Sequence, residues 1–191
     1  MGRIVISENI TLDGVVQDPT GEEGFRYGGW FADVGKNDLE AFFKVALDEA
    51  LSAEALLLGR RTFEIFAARW SSRTGELADR LNAMPKYVVT SSLKDLDWNN
   101  STGIDGDVAT EVRRLKERLN EIVVLGSLRL AHTLIENDLV DELRLTIYPF
   151  VLGAGERLFG ETGNKVRLRL IANRTLGDGL TYVTYDVVRT A

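Results

Sequence analysis

The sequence predicts an α/β domain built on a mixed, mainly parallel sheet that ends in an antiparallel hairpin, and three observations predict it. Apolar runs of strand length alternate with segments of helical periodicity through residue 137, the pattern of a parallel sheet with helices on its faces. The last third changes character. Leu143, Leu145 and Ile147 alternate with Arg144, Thr146 and Tyr148, and Gly177-Asp178-Gly179 joins two further β-patterned runs, as in an antiparallel hairpin. The 191 residues, 45% of them apolar, suffice for one core. No repeat or linker divides them, so a single domain over 1–191 is expected.

The elements follow in order. Residues 3–11 form a first strand that turns out at Leu12-Asp13-Gly14-Val15-Val16-Gln17. A loop over 18–35 carries five glycines and the exposed-looking aromatics Phe25, Tyr27, Trp30 and Phe31; loops of this length are binding loops or surface loops tucked onto the core. From Asn37 the residues Leu39, Phe42, Phe43, Ala46, Leu47, Ala50 and Leu51 keep helical spacing, and Asn37 with Glu40 fits a capping box. Strand 54–58 leads to a helix from Thr62, a short helix covers 75–83, and Pro85-Lys86 opens a strand ending at Ser91-Ser92. A weak strand or loop spans 96–104, Asp107 caps the next helix, strand 121–125 follows, and Gly126-Ser127 starts a helix to about Asn137. The loop 149–163 and strands over 165–175 and 180–188 complete the chain.

Composition excludes several functions. A formal net charge of −6 disfavours nucleic acid or an anionic membrane as the main partner, so any anion site is local. The sequence has no cysteine and one histidine, His132, which removes thiol nucleophiles, disulfides and the usual metal clusters; no metal is expected. No apolar stretch has the length of a signal peptide or membrane span, and a cytoplasmic protein is expected. Nucleophile-elbow and Walker motifs are missing, and Gly153-Ala154-Gly155-Glu156-Arg157 lacks the third glycine of a dinucleotide fingerprint.

What remains is phosphate chemistry. Ala55-Leu56-Leu57-Leu58-Gly59-Arg60-Arg61-Thr62 reads as a buried strand breaking at glycine into a helix with two arginines at the break, and Val123-Val124-Leu125-Gly126-Ser127-Leu128 repeats the break. Helix starts offer free N–H groups and the positive end of the macrodipole. Arginine there is poorly placed unless an anion joins it. Ser91 and Ser92 add hydroxyls at another strand end. A ligand long enough to touch all three places is a dinucleotide, and arginine with paired serines suits the 2′-phosphate of NADPH better than the ribose of NADH.

In order along nearly the whole chain, Leu12-Asp13-Gly14, Leu58-Gly59-Arg60-Arg61-Thr62-Phe63, Val89-Thr90-Ser91-Ser92, Val124-Leu125-Gly126-Ser127, Leu139-Val140-Asp141-Glu142-Leu143, Pro149 to Gly155 and Leu158-Phe159 resemble the dihydrofolate-reductase-like fold. Within it they are similar to the reductase domain of the bifunctional deaminase-reductase of riboflavin biosynthesis and its stand-alone relatives. The resemblance implies a three-layer α/β/α architecture and hydride transfer from NADPH to a small heterocyclic or carbonyl substrate, as in 5-amino-6-(5-phosphoribosylamino)uracil reductases. It implies cofactor contacts from Gly59, Arg60, Arg61, Thr62, Ser91, Ser92, Gly126, Ser127 and Leu128, with the nicotinamide carboxamide near the Val16 backbone. The family usually has two glycines where this chain has Gly126-Ser127, and in dihydrofolate reductases that peptide is cis. A tight turn is expected there. Cis geometry is a hypothesis, since a cis bond before a non-proline residue costs about 3 to 4 kcal/mol.

Dihydrofolate reductases carry one acid on the first helix, and Asp38 stands in the matching place as the catalytic candidate. A helix-start aspartate explains the same residue through the macrodipole alone. Trp30, Thr146 and Tyr148 are candidates for substrate contact. Alternatives are a true dihydrofolate reductase and, in another class, a non-catalytic NADP-binding module. The deaminase's zinc-binding cysteines are missing, which favours a stand-alone relative. The β-rich C-terminal edge predicts a homodimer.

Overall fold

The run Ile4-Val5-Ile6 enters a nine-residue strand, β1 (Arg3–Thr11), whose inner half is fully buried. In the computed structural model, which describes residues 2–93, 95–160 and 165–189, the elements after it are α1 (Lys36–Ser52), β2 (Ala55–Gly59), α2 (Arg60–Trp70), α3 (Glu76–Ala83), β3 (Lys86–Val89), β4 (Ser101–Ile104), α4 (Val108–Arg118), β5 (Glu121–Leu125), α5 (Leu128–Glu136), β6 (Glu142–Tyr148), β7 (Arg167–Leu176) and β8 (Leu180–Val188). The chain divides into two compact units, Met1–Ile6 with Ala46–Asp141 and Ser7–Val45 with Glu142–Ala191.

In the first unit β3, β2 and β5 pair in parallel, with β4 parallel to β3, in the order β4-β3-β2-β5-β1. Parallel strands with helices on their faces are buried on both sides, and Ala55, Leu56, Leu57 and Leu58 are accordingly all buried. Leu56 and Leu58 join Phe63, Ala67, Leu81, Met84, Val88, Trp98 and Val123 in one core. Asp107 caps α4 as expected, accepting from the Thr110 N–H at 2.8 Å. Lys86 is fully buried, and its Nζ donates to the Asn82, Met84 and Asn99 carbonyls over the Trp98 ring.

The second unit runs β1-β6-β8-β7, with β6 and β7 both antiparallel to β8. Mainly parallel pairing followed by an antiparallel C-terminal hairpin is therefore what the molecule has. Its core gathers Trp30, Val45, Tyr148, Leu176, Leu180 and Tyr182, with Phe31, Val34, Ala41 and Phe42 packed against them. Two sequence expectations change here. Trp30 is 2% exposed rather than displayed on a loop, because its indole stacks edge-on against Tyr148 at 5.1 Å and its Nε1–H donates to the Gln17 carbonyl. The α1 cap is not Asn37, whose amide reaches Asp178; the helix starts at Lys36, and Asp38 in its first turn accepts from the Gly35 N–H at 3.1 Å. The expected loop 149–163 is described through residue 160. Among the described residues no helix is long and apolar enough to cross a membrane.

Candidate functional site

In the first unit β2 ends at Gly59, in extended geometry, and α2 begins at Arg60, two residues before the expected Thr62. Both arginines therefore stand in the first helical turn. No side chain caps this helix, so its leading N–H groups lack the partner that serine or aspartate would supply. Arg60 Nη1 donates to Ser92 Oγ at 3.0 Å. Ser91 and Ser92 are exposed just past β3, in a turn where Thr90 Oγ1 accepts from the Ser92 and Leu93 N–H groups.

The second break is a left-handed pair, Gly126 at φ 57° and Ser127 at φ 65°, followed by α5 from Leu128. Among the described residues every peptide bond is trans, which overturns the cis hypothesis. Two successive left-handed residues already reverse the chain, so the cis penalty is avoided. Serine in that conformation costs about 1 to 2 kcal/mol, and three hydrogen bonds offset it. Ser127 Oγ accepts from the Gly59 N–H (3.0 Å) and donates to the Leu125 carbonyl (3.2 Å), while the Ser127 N–H donates to Thr62 Oγ1 (3.0 Å).

Gly59, Thr62 and Ser127 thus fasten the ends of β2 and β5 to each other. The Gly59 and Ser127 amides, expected to face phosphate, are spent in that lock. Exposed in this unit are Arg60, Arg61, Ser91 and Ser92, and the starts of α2 and α5 carry no side-chain cap. This donor set, cationic and uncapped, fits the phosphates of a dinucleotide.

The second unit holds Val16, Trp30, Asp38, Thr146 and Tyr148. The Val16 N–H donates to the Glu156 carbonyl at 3.0 Å, beside the isolated bridge of Val15 with Arg157. Asp13 accepts from the Leu152 and Gly153 amides, and Arg157 Nε returns to the Asp13 carbonyl. The Asp13 and Gly153–Arg157 motifs therefore brace one another. Asp18, left-handed at φ 48°, accepts from the Glu23 and Phe25 amides and fixes the glycine-rich loop as structure.

Asp38 is engaged in the same way. Its Oδ1 accepts from the Asp178 and Gly179 amides at 2.6 and 2.9 Å, and its Oδ2 from Gly35. The Gly179 amide foremost, with those of Asp178, Gly35 and Leu180, holds this carboxyl below the usual aspartate range, although burial opposes the shift. A carboxylate so solvated by amides stays ionised and is a poor proton donor near neutrality. Gly177, at φ 59°, is forced to be glycine because a Cβ there would collide with Asp38.

Thr146 and Tyr148 are buried on β6. The Tyr148 hydroxyl has no hydrogen-bond partner among the described residues, and burial, with the Asp38 charge second, raises its pKa further. One residue escaped the sequence reading: Glu8, 8% exposed on β1, whose Oε1 has no partner among the described residues. Burial pushes its carboxyl up to about 8. The signal was present, since Ile4, Ile6, Glu8 and Ile10 share one stripe at strand spacing, and an acid on an apolar stripe is buried.

Comparisons with known proteins bear on the fold and the family. The chain is 28% identical over 189 residues to the uncharacterized protein YyaP of Bacillus subtilis (strain 168), covering 96% of this chain and 94% of that one. A solved structure from Shewanella sp. PV-4, described as a riboflavin biosynthesis protein, superposes with a TM-score of 0.76 at 21% identity, covering 98% of this chain and 99% of that one. Dihydrofolate reductase from Enterococcus faecalis, in complex with NADP(H), superposes with a TM-score of 0.62 at 20% identity over 97% and 96% of the two chains. Those two likenesses carry the fold alone. The model of the RibD C-terminal domain matches residues 3–182, and the chain belongs to that family.

Proposed function

We propose that the protein is an NADPH-dependent oxidoreductase that reduces a small heterocyclic or carbonyl substrate, after the manner of the riboflavin-pathway aminouracil reductases. The observation that carries this reading is the uncapped start of α2 with Arg60 and Arg61 in its first turn and Arg60 resting on Ser92. Two cations at the positive end of a helix repel the macrodipole; Glu64, 3.9 Å from Arg60 Nε, offsets part of that charge, and an anion with several phosphates offsets more. Arg60, Arg61, Ser91 and Ser92 would hold the 2′-phosphate, and the first turns of α2 and α5 the pyrophosphate. When bound, the reduced nicotinamide supplies the hydride.

Asp38 enters this reading as a positioning residue that ties α1 to the turn between β7 and β8. That removes the acid on which a dihydrofolate reductase would rely. We further read the protein as a cytoplasmic homodimer: β7 ends the strand order and displays Leu170 and Ile171. Equilibrium sedimentation at micromolar concentration tests the dimer, which a single monomeric species would exclude.

The deciding experiment is a fluorescence or calorimetric titration with NADPH and NADH. NADPH is expected to bind at least tenfold more tightly than NADH, and the preference to vanish in the Arg60→Ala, Arg61→Ala double variant. Equal binding of the two cofactors by the wild type would sink the reading.

A further inference from the structure

Among the described residues three buried side-chain atoms lack a hydrogen-bond partner: Trp70 Nε1 in the first unit, and Glu8 Oε1 and Tyr148 Oη in the second. An orphaned polar atom costs about 1 to 3 kcal/mol, and a lone indole N–H is a modest instance. A carboxyl group is another matter. The other buried carboxyls among the described residues have donors: Asp18 has Glu23 and Phe25, Asp38 has Gly35, Asp178 and Gly179, Glu121 has Arg3 and Ser52, and Glu142 has Arg144. Glu8 is buried like them, and its Oε1 has none.

The sequence around it had every means to do otherwise. Ile6 and Ile10 flank it on the same stripe of β1, and an isoleucine or leucine at position 8 would complete an apolar face at no electrostatic cost. A glutamic acid there spends stability, which is the mark of a group kept for chemistry. Burial also keeps its proton on at neutral pH, so it presents an O–H donor and a C=O acceptor side by side. That edge complements the adjacent acceptor and donor of a neutral ring lactam or amidine.

We propose that Glu8 is a catalytic residue, pairing with the donor–acceptor edge of an uncharged heterocyclic substrate and giving it the proton that completes reduction. The inference rests on the reductase reading above and deepens it by naming the acid. In the step, the electrophilic carbon of the substrate's C=N or C=O gains a hydride with its electron pair from the reduced nicotinamide, forming a C–H bond. The π pair moves to the heteroatom, which takes the proton from the Glu8 carboxyl. The substrate is reduced by two electrons, the nicotinamide is left oxidised, and the Glu8 carboxylate regains a proton from water.

The test separates recognition from proton transfer. The probe is 5-amino-6-(5-phosphoribosylamino)uracil, whose ring carries lactam edges, titrated into the full-length protein with NADP+ and without it. The wild type is expected to bind it. Glu8→Ala should weaken binding at least tenfold, whereas Glu8→Gln, whose amide keeps the donor–acceptor pair, should bind within about threefold. With NADPH, Glu8→Gln should retain KM yet lose kcat by about a hundredfold or more, the usual worth of a positioned acid. A wild type that ignores the probe in both titrations, a Glu8→Ala variant that binds it normally, or a Glu8→Gln variant with unchanged kcat each overturns the proposal. Failure of NADPH to bind the wild type is a separate result: it ends the reductase reading, while the cofactor-free titration still reports on Glu8.

Discussion

Lys86 in the first unit and Glu8 in the second are both ionisable side chains buried within a strand, and they are held in opposite ways. Lys86 opens β3 with all three ammonium protons given to carbonyls and an aromatic ring beneath it. Burial draws its pKa down to about 8, but the carbonyls and ring stabilise the charged form, so it serves as a structural pin. Glu8, in the second unit, meets no donor at Oε1 and keeps its proton instead of its charge. Burial alone therefore says little about purpose. Partnering separates the two, and the same criterion divides Asp38 from Glu8 within one unit.

The largest test of this contrast is the pH dependence of stability. The folded pKa of Glu8 is raised to about 8 from 4.5, so its contribution is fully present below pH 4.5 and is lost as pH rises through 8. Between those limits unfolding should become easier by about 1.4 kcal/mol per pH unit. Glu8→Gln should flatten that slope in urea denaturation curves recorded from pH 5 to 8. A wild-type curve already flat over this range would mean that Glu8 is ionised and partnered.

Asp38 should behave with the opposite sign. Its folded pKa is lowered from 3.8, so its contribution is present above that value and disappears as pH falls further. Asp38→Ala strands the Gly35, Asp178 and Gly179 amides and should cost about 3 kcal/mol at pH 7. Its turnover, measured at a temperature where the variant remains folded, should fall far less than that of Glu8→Gln. Equal losses of kcat would return Asp38 to a chemical role.

A third contrast lies between the exposed donors of the first unit and the buried oxygens of the second. Removing Arg60 and Arg61 together should weaken NADPH by about 2 kcal/mol, roughly thirtyfold, and leave the thermal transition of the free protein unmoved or slightly higher, since two charges opposed to the α2 dipole are gone. Loss of stability instead of affinity would make these arginines structural.

What the sequence disclosed follows the same division. Strand-to-helix breaks at Gly59 and Gly126, the alternation on β6 and the Gly177–Gly179 turn are local patterns, and the molecule has each of them. The Gly59–Ser127–Thr62 lock was not legible, because it joins residues 65 to 68 positions apart through hydroxyls that look like free phosphate donors in a linear reading. The amide partners of Asp38 were hidden for the same reason. Its partners lie 140 positions away at Asp178 and 141 at Gly179, and nothing at the start of α1 betrays them. Glu8 was legible in principle, by its place on the Ile4-Ile6-Ile10 stripe, but only where the strand's buried face is weighed before its motifs.

The smallest expected effect is the most informative about the turn at Gly126-Ser127. Ser127→Gly relieves a left-handed serine, worth about 1 kcal/mol, and removes two hydrogen bonds made by Oγ, worth about 1 kcal/mol each. The net loss should be about 1 kcal/mol. Ser127→Ala loses the same bonds without the relief and should cost about 2 kcal/mol. The difference between the two isolates the backbone strain. Both variants also release the Gly59 N–H, so the lock and the phosphate compete for one donor. If the amide turns outward once Ser127 Oγ is gone, NADPH should bind Ser127→Gly as tightly as the wild type, or more so, in a less stable protein. Affinity falling in step with stability would mean that the lock holds the α2 start in its binding geometry, and that the serine acts on the cofactor through structure alone.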